Sequence, residues 1–211
     1  LREVPVWIMP TRRFSSIYAD GRHTVDGIIG TGLIRQFLAT LDYENEKLVL
    51  RPRTRESQAT LRDELGERLV AEVPFALTSL HMMMARGSLD GHTGLTYFAD
   101  SGLASDAAFS APEQTLEYVG IPQPEKKLDP NSPGGGGGAW ASGTFAIQSL
   151  GLGELEQHDL KGEFGSRAAN SYWQHGFIED GLISHQFLKK YDSWTIDFDA
   201  MTYLFAAPGA P

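Results

Sequence analysis

The feature that most constrains this chain is an internal repeat, in which two distant stretches share one pattern of apolar and polar residues. Each stretch contains an Asp-Gly pair, at Asp26 and at Asp180, and these pairs lie 154 positions apart (180 − 26). A Leu/Ile-Asp-aromatic triplet follows each pair, centred on Asp42 and Asp197, 155 positions apart (197 − 42). Self-similarity at a fixed spacing indicates one supersecondary unit used twice. We therefore expect the chain to fold as two related parts.

Each copy of the repeat predicts a short apolar strand, a turn of helix and then a hairpin. In the first copy, residues 33–38 follow helical spacing. Residues 41–50 are typical of a strand, a polar turn and a second strand. Because Asp42 and Asp197 occupy matched hairpins, we interpret both as turn residues. The repeat thus favours a mostly β protein with short helices.

A charged stretch, residues 51–68, separates the first copy from a new run of predicted strands. Residues 71–75, 81–89 and 95–99 are apolar enough for strands, and a Gly-containing turn divides the last two. The first copy lacks such strands before its Asp-Gly pair. We expect three regions: residues 1–52 as the C-terminal part of a first lobe, 53–68 as an interlobe linker, and 69–207 as a complete second lobe.

The triplet Asp100-Ser101-Gly102 stands directly after the predicted strand 95–99. Asp, Ser and Gly also favour ordinary turns, so the triplet alone has a purely structural interpretation. A functional one is favoured by the strands before it and by the apolar pair Leu182-Ile183, which begins 82 positions later (182 − 100). Two carboxylates that face each other at short range cannot both ionise, so they share a proton. Such a pair can activate a water as base and protonate a carbonyl oxygen as acid.

In combination, these motifs resemble the retropepsin-like and pepsin-like aspartic peptidases, including bacterial two-lobed members. Residues 95–102 are similar to the family's apolar strand that leads into its active-site triplet, and residues 26–30 to a segment near the end of a lobe. The resemblance implies that Asp100 is one of two catalytic aspartates. It also implies that Ser101 and Gly102 support the site.

The resemblance covers most of residues 69–205 and roughly residues 1–50, and it has three departures, of which the largest is the absence of a first-lobe counterpart of the triplet. The residues after the triplet are Leu103-Ala104-Ser105, where family members commonly have Ala-Ser/Thr at once. A third departure is Ser184, which stands where the family has a glycine and adds a side chain where strands pass closely.

A glycine run, residues 134–138, precedes Trp140. The run is similar to the tip of the flap that closes over substrate in the same family, which implies substrate contacts by Gly135, Gly136, Gly137 and Trp140. Two other interpretations stay open: a flexible linker for the run, and a packing role for Trp140. A phosphate-binding loop is excluded because no Lys-Ser/Thr follows the glycines.

Composition excludes several other classes of protein. The formal net charge of −9 argues against nucleic-acid binding, because nucleic-acid binders carry basic faces. There is no cysteine, and the six histidines lack metal-ligand spacing, so we expect neither a metal nor a cofactor. No apolar run reaches the roughly 18 residues of a membrane span, so none is expected. For a bacterial chain, a periplasmic or secreted location is favoured over the cytoplasm.

The expected fold is mostly β, with retropepsin-like acid-protease barrel lobes, short helices and a first lobe only partly present. The expected activity is hydrolysis of peptide bonds in a polypeptide substrate by a water held between two aspartates. One is Asp100, and the other comes from an upstream lobe or from a homodimer partner. Two alternatives stay open: an inactive peptide-binding protein of the same fold, which would bind extended peptide as an added strand, and a purely structural β module.

Overall fold

The computed structural model describes residues 26–78, 81–103, 105–129, 140–164 and 178–207, together with Val4, Val6 and Ile8. These residues are mostly β, as the sequence predicted. Their strands are β1 (Phe37–Asp42), β2 (Lys47–Pro52), β3 (Leu69–Leu77), β4 (Met83–Leu89), β5 (His92–Asp100), β6 (Phe109–Ala111), β7 (Lys127–Asp129), β8 (Trp140–Leu152), β9 (Leu155–Phe164), β10 (Gly181–Ser184), β11 (Ser193–Asp197) and β12 (Thr202–Ala206). Their α-helices are α1 (Thr31–Ile34), α2 (Arg55–Leu65), α3 (Glu113–Val119) and α4 (His185–Leu188). Within this described part, no helix has the length and apolar character to cross a membrane.

Six of the strands close into a barrel. The order of pairing is β4-β5-β10-β6-β9-β8, and β8 returns to β4 through Gly87–Leu89 and Leu150–Leu152. The barrel interior is filled by large apolar side chains that solvent does not reach: Leu89, Tyr97, Phe109, Ile147, Leu150 and Ile183. The predicted barrel with short helices is therefore confirmed.

The internal repeat is visible in the positions of the elements. Helices α1 and α4 begin 154 positions apart, and the hairpin β1–β2 corresponds to β11–β12. Strands β1 and β11 pair antiparallel with Thr40 directly opposite Thr195. These two residues occupy the same position in the two copies, and their hydroxyl oxygens lie 2.7 Å apart in a buried contact. Since equivalent residues face each other, a local two-fold axis passes between them, as at an isologous interface.

A single sheet joins the first copy to the second. Its order is β2-β1-β11-β12-β3, and β3 continues into the barrel through β4. Helix α2 packs on this sheet through a small apolar cluster made of Leu38, Leu61, Leu65, Leu204 and Ala206. Because this cluster combines side chains from β1, α2 and β12, burial of apolar surface holds the first hairpin against the second unit.

Polar contacts of α2 add to this attachment. Gln58 Nε2 donates to Asp197 Oδ1 at 3.0 Å, and Arg62 Nη2 to Glu72 Oε2 at 2.7 Å. Asp197 is buried, and its Oδ1 also accepts from the backbone amides of the β11–β12 turn. Asp42 accepts from the Asn45 amide in the matching turn. Both aspartates thus stabilise hairpin turns, in line with their interpretation from sequence.

Candidate active site

Strand β5 carries the Asp100 triplet to the rim of the barrel. Burial alternates along it, with Leu95, Tyr97 and Ala99 buried and the residues between them partly exposed. This period of two sends the apolar side chains into the barrel and the Asp100 side chain to the opposite face. Asp100 is the last residue of the strand.

The chain turns sharply directly after Asp100. The Leu103 amide donates to the Asp100 carbonyl at 3.2 Å, which closes a turn through Ser101 and Gly102. The Gly102 amide donates to Asp100 Oδ1 at 2.9 Å, so the backbone of the triplet orients its own carboxylate. A Cβ atom at Gly102 would lie only 3.2 Å from that same oxygen. Glycine thus allows the backbone to approach the carboxylate closely, while Ser101 is exposed on the turn.

Strand β10 lies parallel to β5 and ends beside the triplet. Leu182 pairs with Phe98, Ile183 with Ala99, and Ser184 with Asp100. The apolar pair noticed 82 positions after the triplet is therefore its direct neighbour in the sheet. The register of the two strands places Ser184 level with the Asp100 backbone.

Asp180 fixes the start of β10 on β5. Its Oδ2 accepts from the Thr96 amide at 2.7 Å, and its own amide donates to the Thr96 carbonyl at 2.8 Å. Its carbonyl accepts from Thr115 Oγ1 at 2.7 Å. Burial raises the pKa of the Asp180 carboxyl, opposed by the Thr96 amide and by the charge of Arg86. This Asp therefore sets the register of the two strands that meet at the triplet.

Ser184, the departure from the family glycine, is integrated into the structure. The side chain is fully buried, and its hydroxyl donates to the Ala107 carbonyl. The same oxygen accepts from the Gln186 amide at 3.0 Å, which caps the N-terminus of α4. The extra side chain thus satisfies two backbone groups at this crowded crossing.

His185 opens helix α4 beside this serine. Burial lowers the pKa of its imidazole, and the charge of Lys189 lowers it further. Because the Ser184 hydroxyl is already engaged with Ala107 and Gln186, these contacts give it a structural role and not that of a nucleophile paired with His185.

The loop after the triplet is tied to the barrel and to α4. Ser105 Oγ donates to Glu163 Oε2 on β9 and accepts from the Ala107 amide at 3.1 Å. Gln186 Nε2 donates to the Ser105 carbonyl at 3.2 Å. These contacts hold the backbone that follows the triplet, as the contacts of Asp180 hold the strand that leads into it. Sequence reasoning missed them, because neither Glu163 nor Gln186 belongs to a motif.

The predicted flap residues have a mixed outcome. Gly135, Gly136 and Gly137 lie outside the described residues. Trp140 begins β8, and its backbone pairs with Asp129 of β7 in an antiparallel register. Two paired strands therefore flank the glycine run, and contacts of these residues with substrate stay a prediction.

Two further site features concern metals and a second carboxylate. Within the described residues, no cluster of three or more His, Cys, Asp or Glu side chains could hold a metal ion. The 211-residue sequence contains a single Asp-Thr/Ser-Gly triplet, the one at Asp100.

Comparison with known proteins finds similarity in structure but none in sequence. No protein-family profile matches the chain, and no curated protein sequence matches it. A retropepsin-like aspartic protease from Rickettsia conorii is similar in structure, with 13% sequence identity and a TM-score of 0.43. The match covers 65% of this chain and 90% of that one. A similarity of this size assigns neither a family nor a catalytic residue to this chain.

Proposed function

We propose that this chain is part of an aspartic endopeptidase in which Asp100 supplies one of two catalytic carboxylates. The observation that supports this best is the setting of the carboxylate at the end of β5. Its Oδ1 accepts from the Gly102 amide at 2.9 Å, inside a turn that stands level with the end of the parallel strand β10. A carboxylate oriented by backbone before substrate arrives is the preorganisation that acid–base catalysis needs.

The proposed reaction follows from two carboxylates that share one proton. The ionised partner removes a proton from the water between them, and the water oxygen attacks the peptide carbonyl. The protonated partner donates to the carbonyl oxygen, which gives a tetrahedral intermediate. As the C–N bond breaks, the carboxyl that took the water proton donates it to the leaving amine nitrogen, and a hydroxyl proton of the intermediate returns to the other carboxylate. The two groups titrate as a pair, so the pH–rate profile belongs to the pair.

The proposed substrate is a polypeptide in extended conformation. An extended peptide can add to a strand edge through main-chain hydrogen bonds and therefore needs no particular sequence for binding. Strands β7 and β8 flank the glycine run, which supports a hairpin over the substrate. In this proposal Gly135, Gly136, Gly137 and Trp140 contact the peptide.

The second carboxylate comes from an upstream lobe or from a homodimer partner. A catalytically inactive peptide-binding protein is the second candidate, and the observation that favours it is the single triplet in the 211 residues. Both candidates share the fold, and they differ only in whether a second carboxylate reaches Asp100.

The test is cleavage of an unfolded protein substrate by the wild type and by Asp100→Asn. The matched control is Asp106→Asn, since Asp106 is an exposed aspartate six positions later that pairs with Lys161 at 2.6 Å. We expect Asp100→Asn to lower the rate by about 100- to 10,000-fold, and the control to leave it unchanged. Peptide binding without cleavage between about pH 3 and 7 would favour the binding protein. Equal rates for wild type and Asp100→Asn would refute the proposed role of Asp100.

A further inference from the structure

One row of side chains crosses four strands on the same face of the sheet as Asp100. Strand pairing aligns Phe98 of β5 with Leu182 of β10. Leu182 is aligned in turn with Ser110 of β6, and Ser110 with Glu163 of β9. Directly paired residues point to the same face, and so do residues two apart on one strand, such as Phe98 and Asp100. We name the four residues Phe98, Leu182, Ser110 and Glu163 the outer row.

Burial separates the outer row from the row beside it. The residues one position away on the same strands are paired with one another and buried in the barrel: Ala99, Ile183, Phe109 and Gly162. Each member of the outer row is half-buried instead. A peptide that reaches the Asp100 carboxylate on this face therefore meets the outer row.

The chemistry of the outer row changes along its length. Phe98 and Leu182, nearest to Asp100, are apolar, whereas Glu163 ends the row with a carboxylate. Ser105 Oγ donates to Glu163 Oε2, so the loop that follows the triplet orients this carboxylate. A carboxylate has about four acceptor sites, so it can accept from a bound peptide in addition to its donors within the chain.

Two lysines lie near Glu163, and each has a contact of its own. Lys161 stands two positions earlier on the same face of β9, and its Nζ lies 2.6 Å from Asp106 Oδ2. Lys126 Nζ lies 4.4 Å from the centre of the Phe164 ring. Both lysine charges are thus directed at other groups. The Glu163 carboxylate therefore attracts a cation on a bound peptide and repels an anion.

The length of the row limits how far from the cut this carboxylate acts. Neighbouring strands lie about 4.8 Å apart, so the three steps from β5 to β9 span about 14 Å. An extended peptide advances about 3.4 Å per residue, so Glu163 lies level with a residue within about four positions of the cut. Lys and Arg carry their charge on long stems and reach the carboxylate from neighbouring positions as well.

We propose that Glu163 determines specificity, selecting peptides that carry Lys or Arg within about four residues of the cut. The cation donates a charge-assisted hydrogen bond to the carboxylate, which is stronger than one between neutral groups. The inference rests on the proposed function for the position of the cut. Binding of the cationic side chain needs no cleavage, so it can be measured separately.

The test measures peptide binding to the Asp100→Asn protein, expressed from its complete gene, so that cleavage does not enter. Fluorescence anisotropy gives the Kd of octapeptides in which each position in turn carries Lys, norleucine or Glu. We expect at least one position at which Lys binds about tenfold more tightly than norleucine, and Glu more weakly. Adding Glu163→Gln, which keeps an acceptor for Ser105, should abolish this preference.

The matched control is Glu156→Gln, since Glu156 is an exposed glutamate on the same strand, about 23 Å from Glu163 along β9. It should keep the preference for Lys. Glu163→Lys should reverse the preference toward the Glu peptide, a result that misfolding does not produce. A Lys preference that survives Glu163→Gln, or its absence before that substitution, overturns the inference. Peptides that bind without this preference sink the role of Glu163 alone, whereas failure of the Asp100 cleavage test sinks the proposed function.

Discussion

The contact between Thr40 and Thr195 allows a quantitative test of the local two-fold axis. Thr40 is 5% exposed and Thr195 is fully buried. Thr40→Val keeps the side-chain shape but leaves the Thr195 hydroxyl without this partner. Because the hydroxyl is buried, this loss should lower the free energy of unfolding by about 1–3 kcal/mol. Thr195→Val costs less, about 1 kcal/mol, because Thr40 Oγ1 still accepts from Arg51 Nη1 at 3.3 Å.

The double variant Thr40→Val/Thr195→Val removes both hydroxyls and leaves an apolar contact of similar volume. Its cost should therefore be smaller than the sum of the two single costs, with a coupling energy of about 1–2 kcal/mol. The assay is urea denaturation of the four proteins, with the free energy of unfolding extrapolated to water.

The control cycle pairs Thr195→Val with Thr93→Val, since Thr93 is an exposed threonine on β5. Changes in the free energy of unfolding caused by substitutions at distant, independent sites add within about 0.5 kcal/mol, so this cycle should show no coupling. If the Thr40 and Thr195 costs also add within about 0.5 kcal/mol, the two hydroxyls do not share a buried contact. The alignment of the two copies across β1 and β11 would then be wrong.

Three further predictions concern the neighbourhood of β10. Gly181→Ala should lower the free energy of unfolding by about 1–3 kcal/mol, because its Cβ would lie 2.1 Å from the Phe109 ring. Gly27→Ala, its counterpart in the first copy, should be tolerated in the same urea assay, since its Cβ would meet no atom within 4 Å among the described residues. Equal costs for the two would contradict the packing at β10. Ser184→Ala should lower the free energy of unfolding by about 1–3 kcal/mol, because the Ala107 carbonyl and the Gln186 amide both lose their partner; an unchanged free energy of unfolding would refute this. Because the pKa of Asp180 is raised above 3.8, the folded state binds its proton more tightly, so stability falls as pH rises from 3.8 through the raised pKa. Across this pH window the melting temperature should fall less for Asp180→Asn than for the wild type. Parallel pH profiles of the two proteins would contradict a raised pKa for Asp180.

Much of the fold could be predicted because several local patterns agree. Alternating apolar residues indicate β3 and β5, and the strands extend to Leu69–Leu77 and His92–Asp100. The repeat predicts matched hairpins, and its two spacings, 154 and 155, agree with the positions of α1 and α4 and of the paired Thr40 and Thr195. Patterns of this kind are visible in sequence because each depends on neighbouring residues along one strand or helix.

The contacts that shape the candidate site could not be predicted in the same way. The closed barrel brings Ser105 against Glu163, 58 positions away, and Asp180 against Thr96, 84 positions away. Which strands become neighbours depends on closure of the whole sheet and not on local propensity. The resemblance indicated that Ser184 stands where the family has a glycine, but the hydrogen bonds of its hydroxyl depend on where the backbone of Ala107 runs.

The position of Thr40 opposite Thr195 could have been anticipated from the repeat. Both residues stand two positions before a matched aspartate, Asp42 and Asp197, so the spacing of 155 already makes them equivalent. What sequence does not show is that the two strands pair with each other, and pairing is what turns a repeat into a symmetry axis.

The measurement that tests the central claim most directly is the pH dependence of kcat/KM for cleavage of a fluorogenic peptide. It compares the protein expressed from its complete gene with its Asp100→Asn variant between about pH 3 and 7. We predict a bell-shaped profile for the wild type, because one carboxylate acts ionised and the other protonated. The variant should stay at background at every pH. A bell-shaped profile of similar height for Asp100→Asn would contradict the claim that Asp100 is one of two catalytic aspartates.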